Sequence, residues 1–203
     1  RCSALIDTPD LNGAITLNSE ATEFELFSTD AVVEFSALEV TYGFEELFER
    51  ANEIPTRFAI DGGTAKVDDG SMMIKSADDG QVSAVFNVPY KNFELTANLI
   101  GSADGYGLFF IDDDGQVAAF LTVYSDERRI VFFSAGETVT VDLPEGFESE
   151  EFRQYQVVFL NGRAIAGLEG VELAELAAAA DVTRVAVYAE AEATVDMIRL
   201  TAI

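Results

Sequence analysis

The chain has 203 residues and a net charge of −25, from 12 Lys and Arg against 37 Asp and Glu, with one Cys and no His. A field of that sign repels nucleic-acid phosphates and anionic membrane surfaces, so neither is an expected partner. The missing His removes Ser-His-Asp and Cys-His catalysis and His-ligated zinc, and the single Cys2 removes any internal disulfide or CxxC site. With 49% hydrophobic residues and 16 Phe, the chain has the apolar surface to build a core.

Residues 1–43 are read as an N-terminal arm or a set of edge strands. Pro9 and Asn12-Gly13 mark turns, and short strand-like pieces follow at Ala14–Leu17, Glu23–Phe27, Ala31–Phe35 and Leu38–Tyr42. They form either the first strands of the same fold or an arm that adds a strand to a neighbouring molecule. Cys2 is open to three fates: a free thiol, a bridge to another subunit, or lipid modification, which Arg1 before it does not suit. The chain opens without Met, consistent with removal of an export signal, and an extracellular or cell-surface location is expected. No apolar run reaches the roughly 18 to 20 residues of a membrane-spanning helix.

Residues 44–203 are read as one all-β antiparallel sandwich with one or two short helices. Phe44–Ala51 has Phe44, Leu47, Phe48 and Ala51 at helical spacing, and Leu173–Ala180 is alanine-rich, so both are expected to be helical. Strands are expected at Arg57–Ile60, Thr64–Val67, Met72–Lys75, Val82–Val88 and Phe93–Ile100. The central stretch from Asp104 to Phe133 follows, and then Thr138–Leu143, Gln154–Leu160, Arg163–Leu168, Arg184–Ala189 and Thr194–Leu200. Asp-Gly and Asn-Gly pairs punctuate them, as tight hairpins require.

Several phrases carry a family resemblance. They are Phe58 to Met72 (FAIDGGTAKVDDGSM), Tyr90 to Ala97 (YKNFELTA), Gly105 to Phe110 (GYGLFF), Phe152 to Ile165 (FRQYQVVFLNGRAI) and Thr194 to Leu200 (TVDMIRL). In this order they resemble the concanavalin A-like, laminin G-like jelly roll over about residues 45–203. The resemblance implies a lectin-like sandwich of the kind used by sugar binders, adhesion modules and glycosidases. Trp is absent and Phe152 stands where the pattern favours Trp. The E-x-D-x-x-E strand motif of retaining glycosidases on this fold is also missing, so the chain is read as a non-enzyme, with glycoside hydrolysis the third alternative.

Two kinds of site are candidates. Asp112, Asp113 and Asp114 on one turn, with Asp104, are the first choice for a Ca²⁺ ion, since that cation takes six to eight oxygen ligands. Asp68, Asp69, Asp78 and Asp79 are a second acidic set, also explained by turn chemistry. Tyr90, Tyr106 and Tyr124 are candidates for stacking on sugar rings. The leading functional expectation is a secreted, Ca²⁺-stabilised domain binding carbohydrate or an extracellular protein. The alternative is a subunit of an extracellular filament or surface layer, joined by strand exchange through the arm.

Overall fold

Apolar residues alternate along nearly every strand, and that alternation sorts the chain into two sheets with a shared interior. The structure, a computed structural model, describes residues 43–77, 80–102, 105–179 and 181–203. Its strands are β1 (Gly43–Glu46), β2 (Ala59–Asp61), β3 (Gly63–Asp68), β4 (Ser71–Ser76), β5 (Val82–Asn87), β6 (Phe93–Gly101), β7 (Tyr106–Asp112) and β8 (Val117–Tyr124). They continue with β9 (Arg129–Ser134), β10 (Glu137–Asp142), β11 (Arg153–Leu160), β12 (Arg163–Leu168), β13 (Val171–Ala177), β14 (Val182–Ala189) and β15 (Glu192–Ala202).

One sheet has the order β13-β12-β11-β6-β15-β4-β3, with β1 also on β15; the other runs β10-β9-β8-β7-β14-β5-β2. Every pairing is antiparallel. The inward residues of β7 (Tyr106, Leu108, Phe110) and β8 (Ala119, Leu121, Val123) meet those of β6 and β11. Phe110 of one sheet lies 5.0 Å from Phe159 of the other, and Phe159 stacks on Phe93 at the same centroid distance. Burial on this scale is the dominant stabilising term.

Two segments differ from their sequence pattern. Gly43–Glu46 is a strand rather than the start of a helix, pairing Phe44 with Leu200 along the C-terminal half of β15, beyond the stretch that β4 occupies. Phe48 then takes a φ of 51°, which no helix continues through, and its ring is buried against Phe58 at 5.8 Å. The apolar spacing of Phe44 and Phe48 is satisfied by a strand and a turn, not by a helical face. Likewise Val171–Ala177 is the edge strand β13, hairpinned to β12 through Glu169-Gly170, both at positive φ. Pairing with β12 and burial of Leu176 override the helix propensity of its alanines. The described residues contain no helix. Of the segment read as an N-terminal arm, residues 1–42 lie outside the described residues.

Candidate functional site: the outer face of the seven-stranded sheet

The residues that point away from the core in the seven-stranded sheet follow from the same alternation. With Leu108 and Phe110 inward on β7, Phe109 and Ile111 face out; with Leu121 and Val123 inward on β8, Phe120, Thr122 and Tyr124 face out. On β9 the outward residues are Arg129, Val131 and Phe133, and on β14 they include Ala186 and Tyr188. The register places Phe109 opposite Phe120 and Phe120 opposite Phe133.

The outcome is a row of rings across four adjacent strands. Tyr188 stacks on Phe109 with centroids 3.6 Å apart, Phe109 meets Phe120 edge-on at 6.2 Å, and Phe120 stacks on Phe133 at 5.1 Å. Phe109, Phe120 and Phe133 are half-buried, so each keeps part of its surface in contact with water. Tyr188 is buried, and its hydroxyl donates to Thr122 Oγ1. Burial raises the Tyr188 phenol well above its ordinary value, although the bond to Thr122 works the other way.

A polar rung lies four residues along the strands from Phe120 and Phe133, at the end of β8. The Arg129 guanidinium lies 4.7 Å from the Tyr124 ring centroid and is paired to Glu127 at 2.8 Å. Burial raises the Tyr124 phenol, and the Glu190 carboxylate adds to that effect. Glu190, just past β14, is anchored by its N–H donating to Gly105 O at 2.9 Å. Gly105 is required there: at φ +131° a Cβ would sit 3.1 Å from Tyr124 Cε1 and 3.2 Å from Glu190 Cδ.

The candidate residues named from the sequence scatter. Tyr124 belongs to this face. Tyr106 does not: its ring is fully buried, and its hydroxyl pairs with Tyr155 across the sandwich at 3.1 Å, so it is a core residue and not a stacking platform. Tyr90 is partly buried against the core. Asp112 is used by its own turn, with Oδ1 accepting the Gln116 N–H at 2.8 Å, while Asp113 and Asp114 are exposed. The Arg184 guanidinium reaches the same turn, 3.4 Å from where a Cβ on Gly115 would stand. Asp104, Asp78 and Asp79 lie outside the described residues. Asp68 pairs with Lys66 at 2.6 Å, whose hydrogen bond and charge hold its carboxyl below the ordinary value, and Asp69 takes the φ of 46° that the hairpin needs. Among the described residues no three or more Asp, Glu or Cys side chains group as a metal site.

Phe109, Phe120, Phe133, Tyr188 and Glu190 are absent from the sequence-based candidates. The signal was available in the adjacent phenylalanines of Leu108-Phe109-Phe110 and Val131-Phe132-Phe133: on a strand, one of two neighbours must face out. Elsewhere, a shallow cleft of about 310 Å³ lies where β6 ends and β15 begins, and its Glu192 is committed to Lys75 at 3.1 Å.

No protein-family profile matches the chain, and no curated protein sequence does. Solved structures do. The laminarinase catalytic domain of Thermotoga maritima MSB8 is similar with a TM-score of 0.63 at 14% identity, covering 81% of this chain and 99% of that one. The carbohydrate-binding module CBM66 of Bacillus subtilis gives 0.57 at 12%, covering 70% and 92%. The chain is a concanavalin A-like jelly roll. A sialidase gives 0.64 at 8%; the jelly roll matches 80% of its own length there and spans only 18% of the sialidase chain. Identities this low speak to the fold alone.

Proposed function

We propose that this jelly roll is a non-enzymatic domain that binds carbohydrate on the outer face of its seven-stranded sheet, in an extracellular setting. The observation that carries the reading is the row of half-buried rings Phe109, Phe120 and Phe133, backed by the buried ring of Tyr188 and flanked further along the strands by the hydroxyl and charged groups of Tyr124, Arg129 and Glu190. Half-buried rings offer apolar area to the C–H surfaces of a sugar chain, and a few polar groups at one end fix its orientation. Solved structures of the same fold include a carbohydrate-binding module and laminarinase catalytic domains, which supports a sugar as the ligand class.

Binding is favoured over hydrolysis by the state of the carboxylates at the polar end. Glycoside hydrolysis needs two working carboxyl groups flanking the bond. Of the two that act on Tyr124, Glu127 is held by Arg129. The test is an array of soluble and immobilised glycans, read for retention and for released reducing ends. Retention without release is the expected result; release that is lost in Glu190→Gln would make the domain an enzyme.

Calcium stabilisation belongs to the same proposal, with Asp113 and Asp114 as exposed ligands. Thermal unfolding in matched Ca²⁺ and Mg²⁺ decides it. A higher Tm in Ca²⁺ is expected, and equal values would leave only general screening of the acidic surface.

A further inference from the structure

The polar rung beside the aromatic row carries a charge whose sign restricts the ligand. Among the described residues the Glu190 carboxylate has neither an ion-pair nor a hydrogen-bond partner. That sets it apart from Glu45, Glu46, Glu53, Glu127, Glu151, Glu175 and Glu192, each held by a cation. It is also half-buried, tied through its backbone to Gly105 and set beside the Tyr124 ring. An ionised carboxylate only accepts hydrogen bonds, so what it can recognise is a hydroxyl or an ammonium group. A second anion brought to the same place meets a like charge in a partly desolvated setting, where screening is weak. At longer range the net charge of −25 lowers the local concentration of any polyanion.

We propose that Glu190 is a specificity-determining residue of the aromatic face. It admits uncharged or amine-bearing glycans and turns away those bearing uronate, sialate or sulfate groups. The proposal rests on the carbohydrate reading above. The nearby cation does not offset it, because Arg129 is already engaged by Glu127 and the Tyr124 ring. Arg184, without an ion-pair partner among the described residues, lies roughly 20 Å from Glu190 along an extended chain and on the other side of the aromatic row, opposite Ile111 and two residues from Ala186, which faces Phe109.

The test compares an unsubstituted glucan, a glucosamine polymer and polygalacturonate as immobilised probes, each at about 50 and about 300 mM salt, where the Debye length falls below roughly 15 Å. Wild type, Glu190→Gln and Glu172→Gln are measured on each. Glu172 is an exposed carboxylate on the edge strand β13 of the other sheet, so its variant makes the same change in net charge far from the face. Wild type should hold the glucan at least about tenfold tighter than polygalacturonate, equivalent to about 1.4 kcal/mol. Glu190→Gln should narrow that gap severalfold, and Glu172→Gln should leave it in place. Polygalacturonate binding as tight as glucan binding would overturn the proposal and point to Arg184 as an anion anchor. So would a gap that Glu190→Gln leaves unchanged. Failure of all three probes to bind would instead remove the carbohydrate reading itself, and this inference with it.

Discussion

Two hydroxyls meet in the apolar interior where Tyr106 of one sheet faces Tyr155 of the other. Desolvation pushes both phenols well above their ordinary value, Tyr155 furthest. Each satisfies a partner that has little access to water, so removing one leaves the other with an unmet group. Tyr155→Phe should cost about 1 to 3 kcal/mol in urea unfolding, and adding Tyr106→Phe should cost less than the sum of the two single changes. A fully additive double variant would contradict the pairing. Asp196 makes a pH-dependent case. It sits at the bulge of β15, one carboxylate oxygen is buried without a partner, and desolvation raises its pKa above 3.8 despite a bond from Asn98. The folded chain therefore holds this proton more tightly than the unfolded chain does. Its contribution is greatest below about 3.8 and is lost as pH rises from there through the raised value. Asp196→Asn, which stays neutral, should melt higher than wild type at pH 7, with the advantage shrinking toward pH 4.

At the scale of single elements, β13 is the most informative, because its sequence favours one structure and its surroundings another. As an edge strand paired only to β12, it should show amide protection at alternate residues of Val171–Ala177, where a helix would protect consecutive ones; hydrogen exchange read by NMR distinguishes the two. The strands of the sandwich were legible in sequence because period-two alternation and Asp-Gly or Asn-Gly turns agree with each other, as in Val82, Ala84, Phe86 and then Phe93, Leu95, Ala97. The Arg163–Leu168 expectation coincides with β12, and most others fall within two residues of the observed ends. Phe44–Ala51 was not legible because in eight residues a strand followed by a turn can mimic helical spacing, and Leu173–Ala180 was not because its alanines favour a helix on propensity alone. What decides them is an open strand edge: that of β15, about 150 residues away in sequence, in the first case, and that of the preceding strand β12, which takes up β13 as a hairpin, in the second. The site was legible in its ingredients and not in its arrangement. Tyr106 shares parity with Leu108 and Phe110, which places it inside, whereas Phe109, Phe120 and Phe133 line up outside only once the register of β7, β8 and β9 is fixed.

For the whole molecule, charge and fold act on different terms. The core cluster spans both sheets and holds the sandwich together, while an excess of 25 negative charges works against compactness. Salt screens that repulsion, so Tm should rise as NaCl is raised through the physiological range, and a flat or falling Tm would mean the surface charges are already neutralised in pairs. The fold leaves one sheet face charged and polar, with Glu45 pairing Arg199 and Glu94 pairing Gln156, and gives the other its row of rings. That asymmetry is the basis of the proposed role, and it is tested most directly by glycan-array binding of Phe120→Ala and Phe133→Ala beside Met73→Ser, an exposed apolar residue on the opposite sheet. Each ring variant should lose at least about tenfold in affinity, near 1.4 kcal/mol, while the Met73 variant binds as wild type does. Ring variants that retain full affinity, or a loss confined to Met73→Ser, would place the ligand elsewhere on the molecule and contradict the account.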